Sequence, residues 1–387
     1  MSRTLGIYIH IPFCVRKCNY CDFTSLAGAD EELKQRYITC LSKQIQMEGN
    51  GRPVDSVFFG GGTPSLLSPS QLGSVMEALR REFSLTKDCE ITVEANPGTV
   101  TEESLRGYQS LGINRLSFGV QSMEDEILER LGRIHRSEDA VRSVELTRRA
   151  GFDNLNLDLM FGIPGQSLDQ WTSTLEKITK LSPEHISFYS LQVEEGTPIY
   201  NDIKYGRLTP LTDEEDRAMY HAGLAYLRQQ GYGQYEISNG AKPGRECRHN
   251  RKYWTMQDYV GFGLAAHSFV DGIRYSAGDD LRAYMEALED NRTPREWVHE
   301  NTVEETASEF LFTGLRLTEG VDLEEFQRRF GASLEEMYPQ SMDELERFRQ
   351  QGFVVTREQR GLGRGCRRMY LTERGMDISN RIMALFV

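Results

Sequence analysis

The sequence predicts an α/β fold built on a parallel sheet, followed by a helical, winged-helix-like part at the C-terminal end. Short apolar runs recur along the first half of the chain, and helix-like segments lie between them. Successive strand–helix units imply parallel strands joined by right-handed crossovers. Periodicity alone leaves open whether the sheet closes as a partial barrel or stays open as a doubly wound layer.

Six β-rich runs define the predicted sheet. They are largely apolar throughout, as expected for strands that are covered on both faces. In chain order they are GIYIH (6–10), SVFF (56–59), EITVE (90–94), RLSFG (115–119), LNLDLM (155–160) and ISFYSL (186–191). The helix-like segments are 31–48, 70–83, 123–131, 138–149, 168–180 and 212–230.

After about residue 200 the pattern loosens, and from Thr302 the chain turns helical and charged. It ends in two short strands around a Gly/Arg tip, followed by a helix, which is typical of a winged helix. We therefore predict three parts. They are the α/β part at 1–235, a connecting region at 236–300 and a winged-helix-like domain at 301–387.

The overall charge disfavours nucleic acid as a partner. The chain has 58 acidic and 45 basic residues and a net charge of −13. No run of about 18 apolar residues and no signal-peptide-like leader occurs, so we expect a soluble, cytoplasmic protein. Peripheral membrane association and the oligomeric state stay open at this point.

Cys14, Cys18 and Cys21 follow directly on the first strand, so their loop leaves the carboxyl end of the sheet, where ligands bind in such folds. The other four of the seven cysteines are scattered, unlike a secreted disulfide framework. Thiolates at C-x3-C-x2-C can bind three of the four irons of one [4Fe-4S] cube, whereas ordinary electron-transfer clusters have four cysteines. The open iron can then bind a substrate, and S-adenosylmethionine is the natural candidate. The alternative is a zinc site completed by His10, although zinc sites usually draw on separated ligand pairs.

The cysteine spacing, with Tyr20 just before the last cysteine, resembles that of the radical S-adenosylmethionine (SAM) superfamily. The resemblance implies a partial (β/α)6 barrel, which answers the question left open above. It also implies a [4Fe-4S] cluster and SAM as cofactors. The chemistry implied is one-electron reduction of the SAM sulfonium, which releases methionine and a radical that abstracts hydrogen from a substrate.

The same resemblance assigns cofactor contacts at the ends of successive strands. Gly61, Gly62 and Thr63 in GGGTP would contact the methionyl group, and Glu94 in VEANP the ribose hydroxyls. Arg133 would pair with the methionyl carboxylate. Asp158 lies in an apolar strand, where an unpaired carboxylate is costly, so we expect a ligand or a buried partner. The remaining cofactor candidates are Tyr8, Tyr20, Gln121, Met160 and Phe161. For each of these positions the alternative is a turn, surface or core role.

Over nearly the full chain, GIYIHIPFC, GINRLSFGVQS and HISFYSLQVEEGTP resemble the branch that contains the oxygen-independent coproporphyrinogen III oxidases and the HemW-like haem chaperones. The oxidase pattern has a fourth cysteine where this chain has Phe23, as HemW-like members do. The chain also begins almost on its first strand, so we expect it to lack the N-terminal extension of the oxidases. Both departures count against decarboxylase activity.

The segment CRHNRKYW (247–254) resembles the HNxxYW signature of the HemW-like branch, in which the histidine is a proposed haem ligand. His249 and Cys247 are therefore our haem-binding candidates, because imidazole and thiol groups suit haem iron. The alternative is a hydrogen-bonded loop histidine with its aromatic neighbours in the core. His267 is a second candidate, for which a structural role is favoured. Tyr189 and Gln192 are expected to line the substrate mouth.

Three functions follow from these features. The favoured hypothesis is a radical SAM chaperone that binds haem and delivers it to acceptor proteins, such as those of the respiratory chain. The alternative is an oxidase that decarboxylates coproporphyrinogen III to protoporphyrinogen IX. The third is a redox-sensing DNA-binding regulator, which the acidic balance disfavours. It would use the arginine-rich tip, namely Arg357, Arg360, Arg364, Arg367 and Arg368.

Overall fold

The structure is a computed structural model that describes residues 4–361 and 364–387, with side chains at 359–361 and 364–366 outside the description. The six predicted strands all form, and they lie side by side in parallel in chain order. They are β1 (Leu5–Ile11), β2 (Pro53–Gly61), β3 (Ser84–Ala95), β4 (Arg115–Gln121), β5 (Leu155–Phe161) and β6 (His185–Ser190). The predicted parallel α/β sheet is therefore confirmed.

Eight helices follow these strands; six of them lie at the predicted places, whereas the third and the seventh in chain order were not predicted. They are α1 (Glu31–Glu48), α2 (Pro69–Glu82), α3 (Glu102–Ser110), α4 (Asp125–Arg130), α5 (Ser137–Arg149), α6 (Leu168–Lys180), α7 (Pro198–Lys204) and α8 (Asp213–Gln229). Many begin at a Ser or Thr whose side chain accepts a hydrogen bond from the third helical residue, which satisfies an otherwise unpaired backbone N–H. Thr101 begins α3 in this way, although apolar periodicity did not indicate that helix.

The sheet grows at both edges beyond the six predicted strands, into a sheet of twelve. At one edge, β7 (Gly233–Glu236) and β8 (Asn239–Ala241) add to β6 in antiparallel orientation. At the other edge, β9 (Tyr259–Phe262) pairs with β1 in parallel, and three antiparallel strands follow it. Those strands are β10 (His267–Val270), β11 (Ile273–Ala277) and β12 (Arg295–Glu300). The stretch 236–300 thus contributes strands to the main sheet, together with α9 (Arg248–Trp254) and α10 (Leu281–Glu289).

The C-terminal part packs helices on a three-stranded antiparallel sheet. Its strands are β13 (Val321–Asp322), β14 (Val354–Gly361) and β15 (Arg364–Leu371), with β15 in the middle. Its helices are α11 (Val303–Gly314), α12 (Leu323–Phe330), α13 (Leu334–Met337), α14 (Met342–Gln350), α15 (Glu373–Asp377) and α16 (Ser379–Met383). A hairpin bracketed by helices is the predicted winged-helix-like arrangement. The division at 235 and 300 stays a prediction.

Two of the tip arginines have acidic partners. Arg368 lies 3.2 Å from Glu319, and Arg367 lies 3.9 Å from Glu335. The Arg357 guanidinium lies over the Tyr370 ring at 5.8 Å. The side chains of Arg360 and Arg364 fall outside the described residues. The described tip therefore presents less uncompensated positive charge than its sequence indicates.

The main core lies between the sheet and its helices, and a second core fills the C-terminal part. Trp171 of α6 is the largest fully buried side chain; its Nε1–H donates to the Met219 carbonyl at 2.8 Å. Its ring packs on Phe161, with centroids 5.4 Å apart. Within the described residues, no helix is both long and apolar enough to span a bilayer.

Replacing Trp171 tests this packing. Trp171→Ala should lower the free energy of unfolding by about 3–5 kcal/mol, because it leaves a large cavity and removes the hydrogen bond to the Met219 carbonyl. The matched control is Trp297→Ala, whose ring is 45% exposed and should cost less than about 1 kcal/mol. Urea midpoints followed by circular dichroism report both. Equal midpoints for the two variants would contradict the packing described.

Candidate functional site

A cavity of about 410 Å³ lies at the carboxyl ends of the parallel strands, the end where ligands bind in such folds. The three clustered cysteines stand on its wall, and most of the predicted cofactor residues join them there. Those lining it are Cys14, Cys18, Tyr20, Cys21, Gly61, Gly62, Thr63, Glu94, Gln121, Arg133, Asp158, Met160, Tyr189 and Gln192. Side chains separated by up to 178 positions in the chain thus meet in one place, because parallel strands end at one edge of the sheet.

The cysteine loop is clamped to the loop between α4 and α5. The Asn19 backbone N–H donates to the Leu131 carbonyl at 2.9 Å, and its side-chain amide donates to the Arg130 carbonyl at 3.0 Å. Arg16 donates to the Gly132 carbonyl at 2.6 Å. These bonds fix the backbone on both sides of Cys18. Residues between the cysteines therefore help to hold the loop, and with it the thiols, at the cavity.

The glycine-rich loop after β2 lies directly against the start of the cysteine loop. Gly62 N–H donates to the Ile11 carbonyl at 2.8 Å, and Thr63 N–H donates to the Phe13 carbonyl at 2.7 Å. A Cβ on Gly62 would stand 2.7 Å from the Phe13 oxygen, closer than atoms can approach. The Thr63 hydroxyl lies 3.7 Å from the Cys14 sulfur. Glycine is therefore required at position 62 for the two loops to meet.

Arg133 and Asn96 connect the cysteines to the ends of the next strands. The Arg133 guanidinium donates to the Cys18 sulfur at 3.5 Å and to the Asn96 side-chain oxygen at 2.5 Å. The Asn96 amide donates in turn to the Thr63 hydroxyl at 2.9 Å. We did not predict a role for Asn96, although it stands in the VEANP segment that identified Glu94. The available signal was its place in that segment, two residues after Glu94.

Gln121 has a backbone conformation that L-residues rarely adopt. Its φ is 67°, and the register between β4 and β5 shifts between Gly119 and Gln121. Such bulges re-aim side chains and concentrate at functional sites. Here the Gln121 amide oxygen accepts a hydrogen bond of 3.1 Å from the Tyr189 hydroxyl at the cavity wall.

Two carboxyl groups face the cavity from β3 and β5. Burial and, to a smaller extent, the neighbouring Asp158 raise the pKa of Glu94 to about 8, although the hydrogen bond from the Gly61 N–H at 3.2 Å opposes the shift. Burial also raises the pKa of Asp158, whose oxygens accept hydrogen bonds from Ser117 and Asn156 at 3.2 and 2.7 Å. Asp158 thus has the buried partners that its place in an apolar strand led us to expect. A neutral Glu94 carboxyl can donate as well as accept.

Two predicted cofactor contacts lie away from this cavity. Phe161 was expected to pack on adenine, but its side chain is buried against Trp171 because β5 alternates its faces and Met160 takes the cavity side. Tyr8 lies in an adjoining cavity, where its hydroxyl and the His10 Nδ1 are 3.1 Å apart.

The haem-binding candidates His249 and Cys247 are enclosed. His249 lies on α9 instead of a loop, is 1% exposed, and has Ser56 and Tyr253 hydroxyls at its ring nitrogens, 3.1 and 2.8 Å away. Burial lowers its pKa to about 3. Cys247 is fully buried, its sulfur lies 3.6 Å from Glu90, and burial raises its pKa to about 12. These contacts match the hydrogen-bonded role given above as the alternative.

The residues at the first cavity fit a cluster with an open iron. Three half-buried thiols stand on one loop, and Arg133 donates toward the Cys18 sulfur. Among the described residues, no three Cys, His or acidic side chains converge on one metal ion. In a cube each cysteine binds a different iron, so its ligands stand further apart than those of a single ion. The volume falls within the range of about 300–1,000 Å³ typical of ligand pockets.

Comparison with known proteins adds the family context. The model of the radical SAM superfamily matches residues 8–178, and that of the HemN C-terminal domain matches residues 301–362. The chain is 36% identical to the Heme chaperone HemW of Bacillus subtilis over 384 residues, which is 98% of both proteins. It is also 36% identical to that of Escherichia coli, over 99% of this chain and 98% of the relative.

The fold matches a solved structure along its whole length. The radical SAM enzyme coproporphyrinogen III oxidase (HemN) from Escherichia coli superposes with a TM-score of 0.87, covering 100% of this chain and 90% of that chain at 22% identity. This similarity concerns the fold. Together with the family match at residues 8–178, it confirms the predicted class, a radical SAM partial barrel with a C-terminal helical domain.

Substitution of Gly62 tests the contact between the two loops. Gly62→Ala should reduce the iron bound per chain to a small fraction of the wild-type value, because the new Cβ forces the loops apart. The control is Gly73→Ala in α2, where the Cβ meets only Leu111 at an ordinary 3.4 Å. Iron analysis and the visible spectrum after anaerobic reconstitution provide the readout. Normal iron in Gly62→Ala would contradict the required close approach.

The raised pKa of Glu94 predicts a pH dependence of stability in the cluster-free protein. The folded state keeps a proton that the unfolded state releases above 4.5, so the free energy of unfolding should fall as pH rises from 4.5 to about 8. One such proton contributes a slope of about 1.4 kcal/mol per pH unit. Glu94→Gln should flatten the fall seen in urea midpoints, and the exposed Glu77→Gln should leave it unchanged. An unaltered slope in Glu94→Gln would show that other groups cause it.

Proposed function

The chain belongs to the HemW family of radical SAM proteins, and from that premise we propose that it is a haem chaperone. It binds a [4Fe-4S] cluster and SAM in the 410 Å³ cavity, binds haem, and delivers the haem to acceptor proteins. The observation that carries the proposal is the single cavity in which three cysteines meet the ends of the parallel strands. We propose haem as the transferred molecule because the chain is similar, over nearly its full length, to proteins named Heme chaperone HemW.

We assign the cluster to Cys14, Cys18 and Cys21. Phe23 supports three ligands instead of four, because its side chain is 62% exposed at the cavity wall where a fourth thiol would otherwise stand. When bound, the cluster and SAM supply one-electron chemistry at this site. The protein contributes the clamp on the cysteine loop and the close approach of Gly62.

We assign the polar walls of the cavity to SAM. Gly61, Gly62 and Thr63 offer backbone and hydroxyl groups to the methionyl end, and Arg133 offers a guanidinium to its carboxylate. Glu94, Gln121 and Asp158 offer hydrogen-bonding groups to the nucleoside. Met160 and Tyr20 add apolar surface beside these groups. The cavity therefore offers polar groups to the methionyl end of SAM and both polar and apolar surface to its nucleoside.

We propose that the acceptors are haem proteins such as those of the respiratory chain. The described tip arginines are partly paired with acidic residues, so the tip offers a mixed-charge surface suited to a protein partner. We also propose that the protein is cytoplasmic and that it can associate peripherally with a membrane.

A transfer assay tests the chaperone function. The cluster-loaded protein, preloaded with haem, is mixed with an apo-form of a haem-dependent respiratory enzyme, and that enzyme's activity is followed. We expect faster activation than with free haem at the same concentration. The triple variant Cys14→Ala/Cys18→Ala/Cys21→Ala separates the role of the cluster from that of haem binding.

The oxidase alternative is tested in a parallel sample with reductant, SAM and coproporphyrinogen III. Mass spectrometry follows 5′-deoxyadenosine and decarboxylated porphyrinogen together. The proposal predicts no decarboxylated product. Product formed in step with 5′-deoxyadenosine would overturn it and identify an oxidase that works without a fourth cysteine.

A further inference from the structure

A second, larger cavity of about 520 Å³ adjoins the cluster cavity. Phe23, Gly61 and Glu94 line both, so the two cavities share a wall formed by the end of the cysteine loop and the ends of β2 and β3. The second cavity is bounded on its other sides by α9, by the turn into β10 and by Thr313 of α11. It therefore lies between the main sheet and the C-terminal part.

The walls of this cavity suit a flat aromatic molecule. Apolar and aromatic side chains surround it, namely Phe23, Tyr253, Trp254, Met256, Tyr259 and Phe269. The charged side chains at its edge already have partners. Arg274 pairs with Glu309 through two hydrogen bonds of 2.7 and 2.6 Å, and the Lys252 ammonium lies 2.8 Å from Asp55. Such walls offer apolar contact area with few competing charges, which is typical of cofactor pockets.

His267 distinguishes this cavity from an ordinary apolar pocket. All seven histidines of the chain lie in the described part of the structure. In six of them, at least one ring nitrogen makes a hydrogen bond to another group of the protein. His267 makes no such bond to any of the described residues; it is exposed and lines the cavity. A ring nitrogen of this residue is therefore open to a ligand.

The backbone around His267 is held in place before any ligand arrives. His267 begins β10 and pairs with Ser276 of β11. Its carbonyl lies so close to Gly261 that a Cβ there would stand 2.3 Å away, and Ala265 in the preceding turn has a φ of 53°. A strained turn that presents an unpaired imidazole to a cavity is the pattern of a binding site.

We propose that haem binds in the second cavity and that His267, rather than His249, supplies the imidazole to its iron. This inference rests on the proposed haem-chaperone function and identifies the cavity in which the haem would bind. His249 would have to leave the Ser56 or the Tyr253 hydroxyl to reach an iron, whereas His267 gives up no protein partner. Phe23 then serves as the apolar partition between the haem and the cluster, which gives a physical reason for phenylalanine at that position.

Haem titration of the full-length, cluster-loaded protein tests this site. His267→Ala should weaken haemin binding by about tenfold or more and shift the Soret band, since a metal ligand is lost. Added imidazole should restore the wild-type band, because it replaces the missing ligand. His249→Gln, which keeps a polar side chain at α9, should retain the wild-type spectrum. The matched control His299→Ala, on β12 outside the cavity, should also bind normally.

The outcomes separate the site from the function. If the wild type binds haemin and His267→Ala binds it with unchanged affinity and spectrum, the assignment of His267 is overturned while the chaperone proposal stands. Loss of the Soret shift in His249→Gln alone would transfer the role to His249. If the wild type binds no haemin, the chaperone proposal and the site fall together. Circular dichroism of each variant, with His267→Gln as a second substitution, distinguishes lost ligation from lost folding.

Discussion

The close approach of two backbone segments at the carboxyl end of the sheet governs the candidate site. The chain leaving β1 offers the carbonyls of Ile11 and Phe13, and the loop leaving β2 offers the N–H groups of Gly62 and Thr63. No side chain fits between them. Because this contact sets where the cysteine loop starts, it also sets the position of Cys14, and through the clamp at Asn19 it limits the positions open to Cys18. The rest of the cavity is then completed by side chains at the ends of the neighbouring strands.

The electrostatics of the cavity follow from its enclosure. Removing carboxyl groups from water favours their neutral forms, so Glu94 and Asp158 can stand near each other without two full charges. Arg133 supplies a permanent positive charge on the side of the cysteines. The result is a cavity with one cationic and one largely neutral wall, which suits a zwitterionic group at one end and a nucleoside at the other. The adjoining cavity is different in kind, because its walls are aromatic and its charged residues are already paired.

The sequence predicted the parts of this structure that depend on local pattern. The six apolar runs became the six parallel strands because burial on both faces leaves a strong signal. The C-x3-C-x2-C spacing placed the cavity because strand order fixes where that loop emerges. Patterns did not reveal β9, which joins β1 from far along the chain, because a four-residue strand between turns has no periodicity. They also did not indicate a role for Asn96. They predicted that Phe161 contacts the ligand, whereas the alternation of side chains along β5 turns its ring toward Trp171.

The histidines show the limit of motif-based assignment. His249 stands in the recognisable segment CRHNRKYW, yet its ring is enclosed by hydroxyl partners. His267 stands in the less distinctive "AAHS", yet its ring lines a cavity and makes no hydrogen bond to any residue that the structure describes. Whether a ring nitrogen is free depends on neighbours contributed by other elements, and no short stretch of sequence contains them. Three-dimensional context therefore reversed the order of these two candidates.

The most direct test of the central claim is Mössbauer spectroscopy of the protein reconstituted with 57Fe, recorded before and after SAM is added. The account predicts a [4Fe-4S] cluster bound by three cysteines, in which one iron differs from the other three and changes its signal when SAM binds. A cluster whose iron signals do not respond to SAM, or one that keeps four irons when Cys18 is replaced by alanine, would contradict it.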